Sequence, residues 1–257
     1  MPEPPIDPNR PSAARIYDAF LGGTHNFAAD RAVADRTAEL LPMTPRIARA
    51  NRAFLRRVVR FATARGIRQF LDLGSGIPTQ QNVHEIATEA RVVHVDVDPA
   101  AVLYSRHLLG DDSRVAVVHG DLRQPSLVLA EPAVRKLIDP GEPVGILMVA
   151  VLHFLPESPA LTAALRDYRE LAAPGSVLAI SHAAAGESPA ELERIADLYN
   201  RTGSSLLPRT TEQVERFFDG WRLVEPGVVQ GPEWRPDPGD DTTGAAGYLT
   251  LAGVAVR

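Results

Sequence analysis

The chain has 257 residues, 45% of them hydrophobic and 23% charged, with a net charge of −5 and no cysteine. That composition is ordinary for a soluble globular protein, and the missing thiols exclude disulfides, thiolate metal sites, cysteine-ligated iron–sulfur clusters and cysteine nucleophiles. No apolar run is long enough to span a bilayer, the opening MPEPPIDPNRP has no signal pattern, and no basic tract marks a phosphate-tracking surface. The expectation is a cytoplasmic protein with a small-molecule partner, no membrane contact and no nucleic acid.

Residues 1–11 are proline-rich and read as a loose tail. Three helices follow: one from Ser12, which can cap it, to the Gly22-Gly23 break; one from about Phe27 to Leu41; and one from Thr44-Pro45 to about Arg65. Residues 12–66 thus read as a helical extension and 67–257 as the main domain. From Arg68 the pattern changes to alternating strands and helices. The strands are Gln69–Leu73, Arg91–Asp96, Val115–His119, Val144–Val149 and Ser176–Ser181. The helices run over about Gln80–Glu89, Pro99–Leu109, Leu127–Ile138 and Ala160–Ala172. Such alternation implies a parallel sheet covered on both faces, a doubly wound α/β fold. Two further helices, near 188–201 and 211–218, precede two last strands, Trp221–Val229 and Gly247–Val256, which read as an antiparallel edge hairpin. The sheet is then seven-stranded and mostly parallel.

The first strand runs into Leu73-Gly74-Ser75-Gly76, a bare backbone turn at a strand's carboxyl end, where a ligand can approach closely. The second strand ends at Asp96, placed to accept hydrogen bonds from ribose hydroxyls, whereas Asp98 before Pro99 reads as a helix cap. The third ends at Gly120-Asp121-Leu122, where Asp121 can accept from an exocyclic amine and the Leu122 amide can face a ring nitrogen. These strand ends converge on the crevice where open α/β sheets bind ligands. A nicotinamide cofactor shares much of this pattern, but the third glycine is missing and the late hairpin is unlike a dinucleotide fold.

LDLGSG, VDVDP, GDLR and LAAPGSVLAI together resemble class I S-adenosylmethionine-dependent methyltransferases, which have a Rossmann-like fold. With ARIYDAFLGGTHNFAADR at 14–31 the chain resembles a largely actinobacterial methyltransferase family first catalogued as a domain of unknown function. The resemblance implies S-adenosylmethionine as cofactor and S-adenosylhomocysteine as product. It implies that Gly74, Ser75 and Gly76 line the methionine end, Asp72 sits near its amino group, Asp96 holds the ribose, and Asp121 and Leu122 hold the adenine. Ala150, past the fourth strand, completes that wall. A protein that binds this cofactor without turnover is the other reading the pattern allows.

His153, just after the fourth strand, is the candidate general base for a hydroxyl acceptor; packing is its structural alternative. His84 reads as a satisfied structural histidine and His182 as a residue ending the fifth strand. No acidic strand end follows the fourth strand, so no metal site is expected. Residues 14–31 read as a lid, with Tyr17 or Asn26 reaching the charged end of the methionine moiety. The alternative to the lid is a helix–turn–helix packed on the sheet with Asp30-Arg31 solvated; Asn51-Arg52 and the Trp234-Arg235 loop read as solvated surface, with the pocket rim as their alternative.

Overall fold

The structure, a computed structural model, describes residues 6–79, 81–185, 189–200 and 205–257. Residues 1–5 of the expected tail, Gln80 and the ends of the helix expected near 188–201 lie outside these.

Helix α1 (Ala13–Phe20) starts where expected, with the Ser12 hydroxyl accepting from the Arg15 amide at 3.3 Å. Helices α2 (Ala28–Leu40) and α3 (Thr44–Ala64) follow. Thr44 does not cap α3; its hydroxyl donates back to the Leu41 carbonyl at 2.7 Å. Then come β1 (Gln69–Leu73), α4 (Val83–Ile86), β2 (Arg91–Asp96), α5 (Pro99–Leu109) and β3 (Val115–His119). The second half comprises α6 (Pro125–Ala130), α7 (Pro132–Leu137), β4 (Gly145–Val149), α8 (Pro159–Leu171), β5 (Val177–Ala183), α9 (Pro189–Asn200), α10 (Thr211–Glu215), β6 (Arg222–Leu223), β7 (Val229–Gln230) and β8 (Thr250–Val256).

The sheet order is β3-β2-β1-β4-β5-β8-β6, with β7 also paired to β8. The first five strands are parallel; β8 runs antiparallel to β5, β6 and β7. The mixed sheet has eight strands rather than seven because the expected sixth strand breaks. Pro226 and Gly227 interrupt it, leaving two short strands that pair with different parts of β8. Two expected helices also change. Pro132 divides Leu127–Ile138 into α6 and α7, since proline lacks the amide a continuous helix needs. Of Gln80–Glu89 only Val83–Ile86 is helical.

Alternate strand residues go to opposite faces of the sheet. Leu71, Val93, Ile146, Met148 and Ile180 pack with Leu161 and Tyr168 of α8. Phe70, Val92, Leu147 and Ala179 pack with Phe54, Leu55, Val58 and Val59 of α3. Helix α3, read as part of an extension, is therefore one of the sheet's own covering helices. A third apolar cluster joins α1 and α2 to α9, above the carboxyl ends of the strands. No helix among the described residues is long and apolar enough to cross a membrane.

Trp234, expected at the surface, is fully buried beneath α3, edge-on to Phe54 and Phe61 at 5.5 and 5.7 Å. Arg57 of α3 donates to the carbonyls of Trp234 and Gly231, each at 2.8 Å, and pairs with Asp240 at 2.6 Å. This anchors the Gly/Pro/Asp-rich loop before β8. Replacing Trp234 by alanine opens a cavity in a dry layer and should cost about 3–5 kcal/mol of stability, read by urea denaturation.

Candidate cofactor site

At the carboxyl ends of β1 to β5 the strands open into one cavity of about 670 Å³. Its wall includes Asp72, Gly74, Ser75, Gly76, Asp96, Asp121, Leu122, Ala150 and His153, together with Tyr17 from the amino-terminal helices. All but one of the residues expected at the site from sequence therefore meet in a single chamber. The exception is Asn26.

The glycine turn is built for close approach. Gly74 has φ +76°, and a Cβ there would lie 2.3 Å from the Val151 side chain; at Gly76, φ +63°, a Cβ would meet no atom within 4 Å. The amides of Gly74 and Ser75 donate to the Val95 carbonyl at 2.8 and 3.1 Å, fastening the turn to β2. Asp96 then accepts from the Gly76 amide at 2.7 Å and from the Asp98 amide at 2.8 Å. Burial pushes its carboxyl up to about 6 despite these two amides. Asp98 caps α5, accepting from the Ala100 amide at 2.8 Å through one oxygen. Its other oxygen and the Ser75 hydroxyl are buried at the cavity wall without a protein partner among the described residues. Orphaned polar atoms beside an open glycine cradle fit a polar ligand.

Asp121 is paired with Arg123, whose Nη2 lies 2.6 Å away. Burial raises its pKa and the Arg123 hydrogen bonds lower it; the net effect is a carboxyl below its ordinary value. Asp72 accepts from His94 Nδ1 at 3.0 Å, and His94 Nε2 lies 3.4 Å from His84 Nδ1. His84 is thus a structural partner inside the fold.

Ala150 has φ +58°, a conformation strained for a residue with a Cβ. Its amide is held by the Ser181 carbonyl at 3.1 Å and hydroxyl at 2.9 Å. The relay continues: Ser181 Oγ donates to Asn51 Oδ1 at 2.5 Å, Asn51 Nδ2 to the Tyr17 hydroxyl at 2.9 Å, and Tyr17 to the Ala48 carbonyl at 3.1 Å. Asn51, read as solvated with the pocket rim as its alternative, is only 4% exposed and lines the cavity. Tyr17 reaches the wall, but its hydroxyl proton is already committed.

His153 is 9% exposed, and its Nδ1 accepts from the Ala183 amide at 3.2 Å. An amide only donates, so the proton of the neutral ring sits on Nε2. Burial, with the nearby His182 and Arg209, holds its pKa well below the usual histidine value. A ring in this state donates a hydrogen bond and does not take a proton, which counts against the expected general base. His182 is locked likewise: Nδ1–H donates to the Ala183 carbonyl at 2.8 Å, Nε2 accepts from Arg209 at 2.7 Å, and burial brings its pKa down to about 4.

Asn26 does not reach the ligand end. Its amide donates to Asp18 Oδ2 at 2.8 Å and the Gly23 carbonyl at 2.9 Å, and its oxygen accepts from Arg31 at 2.9 Å. The residue at the centre of this segment is Asp18, passed over in the sequence because an acid on a short helix reads as solvated. It is 1% exposed and accepts from the His25 amide at 2.9 Å and, across to the glycine loop, from Thr79 Oγ1 at 2.6 Å. Asp30 is buried too, paired with Arg15 at 2.8 Å and accepting from the Phe27 amide at 2.8 Å. Arg15 also donates to the carbonyls of Asp7 and Arg10, tying residues 6–11 against the cap.

The S-adenosyl methyltransferase family model matches residues 1–257. The chain belongs to this family. It is an S-adenosylmethionine-dependent methyltransferase, and the nicotinamide alternative falls. A putative methyltransferase from Thermobifida fusca is 41% identical over 100% of this chain and 98% of its own, with a TM-score of 0.90. A DUF574 family protein from Streptomyces avermitilis is 36% identical over 98% of this chain and 100% of its own, with a TM-score of 0.92. The N-methyltransferase NodS from Bradyrhizobium japonicum, in complex with S-adenosylhomocysteine, shares the fold at 16% identity and a TM-score of 0.50, over 95% of this chain and 98% of that one. No curated protein matches.

The two adjacent glycines of this methyltransferase separate space from conformation. A Cβ on Gly22, φ +76°, meets nothing within 4 Å, whereas one on Gly23 would lie 2.0 Å from Asp18 Oδ1. Gly22→Ala should cost about 1–2 kcal/mol of stability and leave S-adenosylhomocysteine affinity unchanged. Gly23→Ala should displace Asp18, release Thr79 and weaken that affinity on the order of tenfold. Calorimetry and melting curves on both variants check this; equal affinities would show that Asp18 does not hold the loop.

Proposed function

We propose that this methyltransferase acts on a small-molecule acceptor enclosed beneath the amino-terminal helices. The observation carrying the proposal is the continuity of the cavity, which runs from the strand-end carboxylates to an apolar chamber under α1 and α9. Its volume of about 670 Å³ falls within the roughly 300–1,000 Å³ usual for small-molecule sites.

In this reading Gly74, Ser75 and Gly76 cradle the methionine portion, with Asp72 near its amino group. Asp96 accepts from the ribose hydroxyls through lone pairs left free by the Gly76 and Asp98 amides, and the orphaned oxygen of Asp98 lies close by. Asp121 and Leu122 receive the adenine. Tyr17 and Ala150 form the wall towards the acceptor. When bound, the cofactor supplies an electrophilic methyl group on a sulfonium. The protein's part is to align the acceptor and keep out water. Residues 14–31 act as a cap through the Asp18–Thr79 contact, with Asn26 shaping the cap from within.

Titration calorimetry should give binding of S-adenosylmethionine and S-adenosylhomocysteine and none of NADH. Asp96→Ala should weaken either sulfur ligand about ten- to hundredfold; an unchanged affinity would place the ribose elsewhere.

The pH dependence follows from the buried Asp96 carboxyl, raised from 3.8 to about 6. Because the folded value is the higher, the free protein bears the cost of this buried charge above about pH 6 and escapes it as the pH falls towards 3.8. Ribose hydroxyls favour the ionised form. S-adenosylhomocysteine affinity should therefore be flat above pH 7 and decline as the pH passes below about 6. Calorimetry across that range checks the sign.

A further inference from the structure

The chamber beyond the cofactor cradle has a chemistry of its own. Its walls include Tyr17, Phe20, Phe154, Ile195, Tyr199 and Leu206, members of the apolar cluster that joins the cap to α9. Rings dominate: Phe154 lies 5.7 Å from Tyr199 and 4.4 Å from His153, centroid to centroid. The cavity-lining cations have other duties. Arg15 is paired with Asp30, Arg123 with Asp121, and Arg52 donates to the Gln81 carbonyl and Asn82; Arg10 is exposed. An anionic acceptor would lose its water without gaining a buried counter-charge.

His153 brings a hydrogen-bond donor to this chamber. His153 lines the cavity nine-tenths buried, with Nδ1 occupied by the Ala183 amide and Nε2–H without a partner among the described residues. A donor left unmatched in an apolar enclosure is satisfied when its ligand brings an acceptor.

We propose that the chamber takes an uncharged, planar aromatic acceptor carrying a ring nitrogen or carbonyl oxygen that receives the His153 Nε2–H hydrogen bond. This rests on the opposite end of the cavity being the S-adenosylmethionine site. Flat rings suit a wall that carries Phe154 and Tyr199, where offset or edge-on contacts are favourable. His153 fixes which edge of the ring faces inward and is a positioning residue for the acceptor.

Three probes separate the components, each titrated into the full chain saturated with S-adenosylhomocysteine: quinoline, naphthalene and quinoline-6-carboxylate. Quinoline should bind about two- to tenfold more tightly than naphthalene, the worth of one hydrogen bond. The carboxylate should bind at least about tenfold more weakly than quinoline. His153→Leu should erase the preference for quinoline over naphthalene while S-adenosylhomocysteine still binds. Phe154→Ala should weaken both neutral rings alike, a second reading should the histidine variant not fold. The proposal is overturned if the carboxylate binds as well as quinoline, if quinoline has no advantage over naphthalene, or if neither ring binds. Failure of S-adenosylhomocysteine itself to bind would instead overturn the cofactor reading, and the same three titrations on the free protein would still decide the nature of the chamber.

Discussion

A buried carboxylate without a cationic partner is costly, and Asp18 avoids that cost through neutral donors alone. The His25 amide, the Asn26 side chain and the Thr79 hydroxyl converge on its two oxygens. The first two close the turn between α1 and α2; the third lies 61 residues away, in the glycine loop. One side chain therefore shapes the turn between α1 and α2 and ties it to the glycine loop. The close approach of Gly23 is a consequence, since no larger residue fits beside those oxygens.

The same contact accounts for the departure of the glycine turn from the three-glycine pattern. In dinucleotide folds the turn rolls directly into a helix, and the third glycine lets that helix pack closely. Here Pro78 follows Ile77, and helix begins only at Val83. In the intervening loop the Thr79 amide donates to the Ile77 carbonyl at 2.9 Å, and the Thr79 hydroxyl is held from outside, by Asp18. Arg52 of α3 adds a second hold further along, at the Gln81 carbonyl and Asn82. A loop fixed by tertiary contacts requires its cap, so the helices at the start of the chain and the cradle after β1 form one unit.

Most of the sheet was legible because its signals are local. The first three strands and α5 have the limits read from β-branched runs and the Asp98-Pro99 start. The failures have equally definite causes. Pro132 broke a helix whose apolar pattern continued across it, and Pro226 broke a strand for the same lack of an amide. At the site, the strand-end acids were legible because an acid after an apolar strand has few other uses. Asp18, Asn51 and Trp234 were not. Each sits among polar or helical neighbours that look solvated, and each is buried by a partner remote in sequence: Thr79, Ser181 and α3.

The two histidines of the acceptor end show why residue type alone does not assign a base. In sequence, His153 is the candidate to take a proton near neutral pH, and His182 is a weaker one. In the fold, each ring is fixed in one neutral tautomer by a group that cannot reverse its role: an amide that only donates to His153, and a guanidinium that only donates to His182. Burial and the positive charge of Arg209 oppose protonation of both. Methyl transfer tolerates this arrangement, because displacement at a sulfonium needs alignment and dryness before it needs a base. Neither locked imidazole is free to serve as a base.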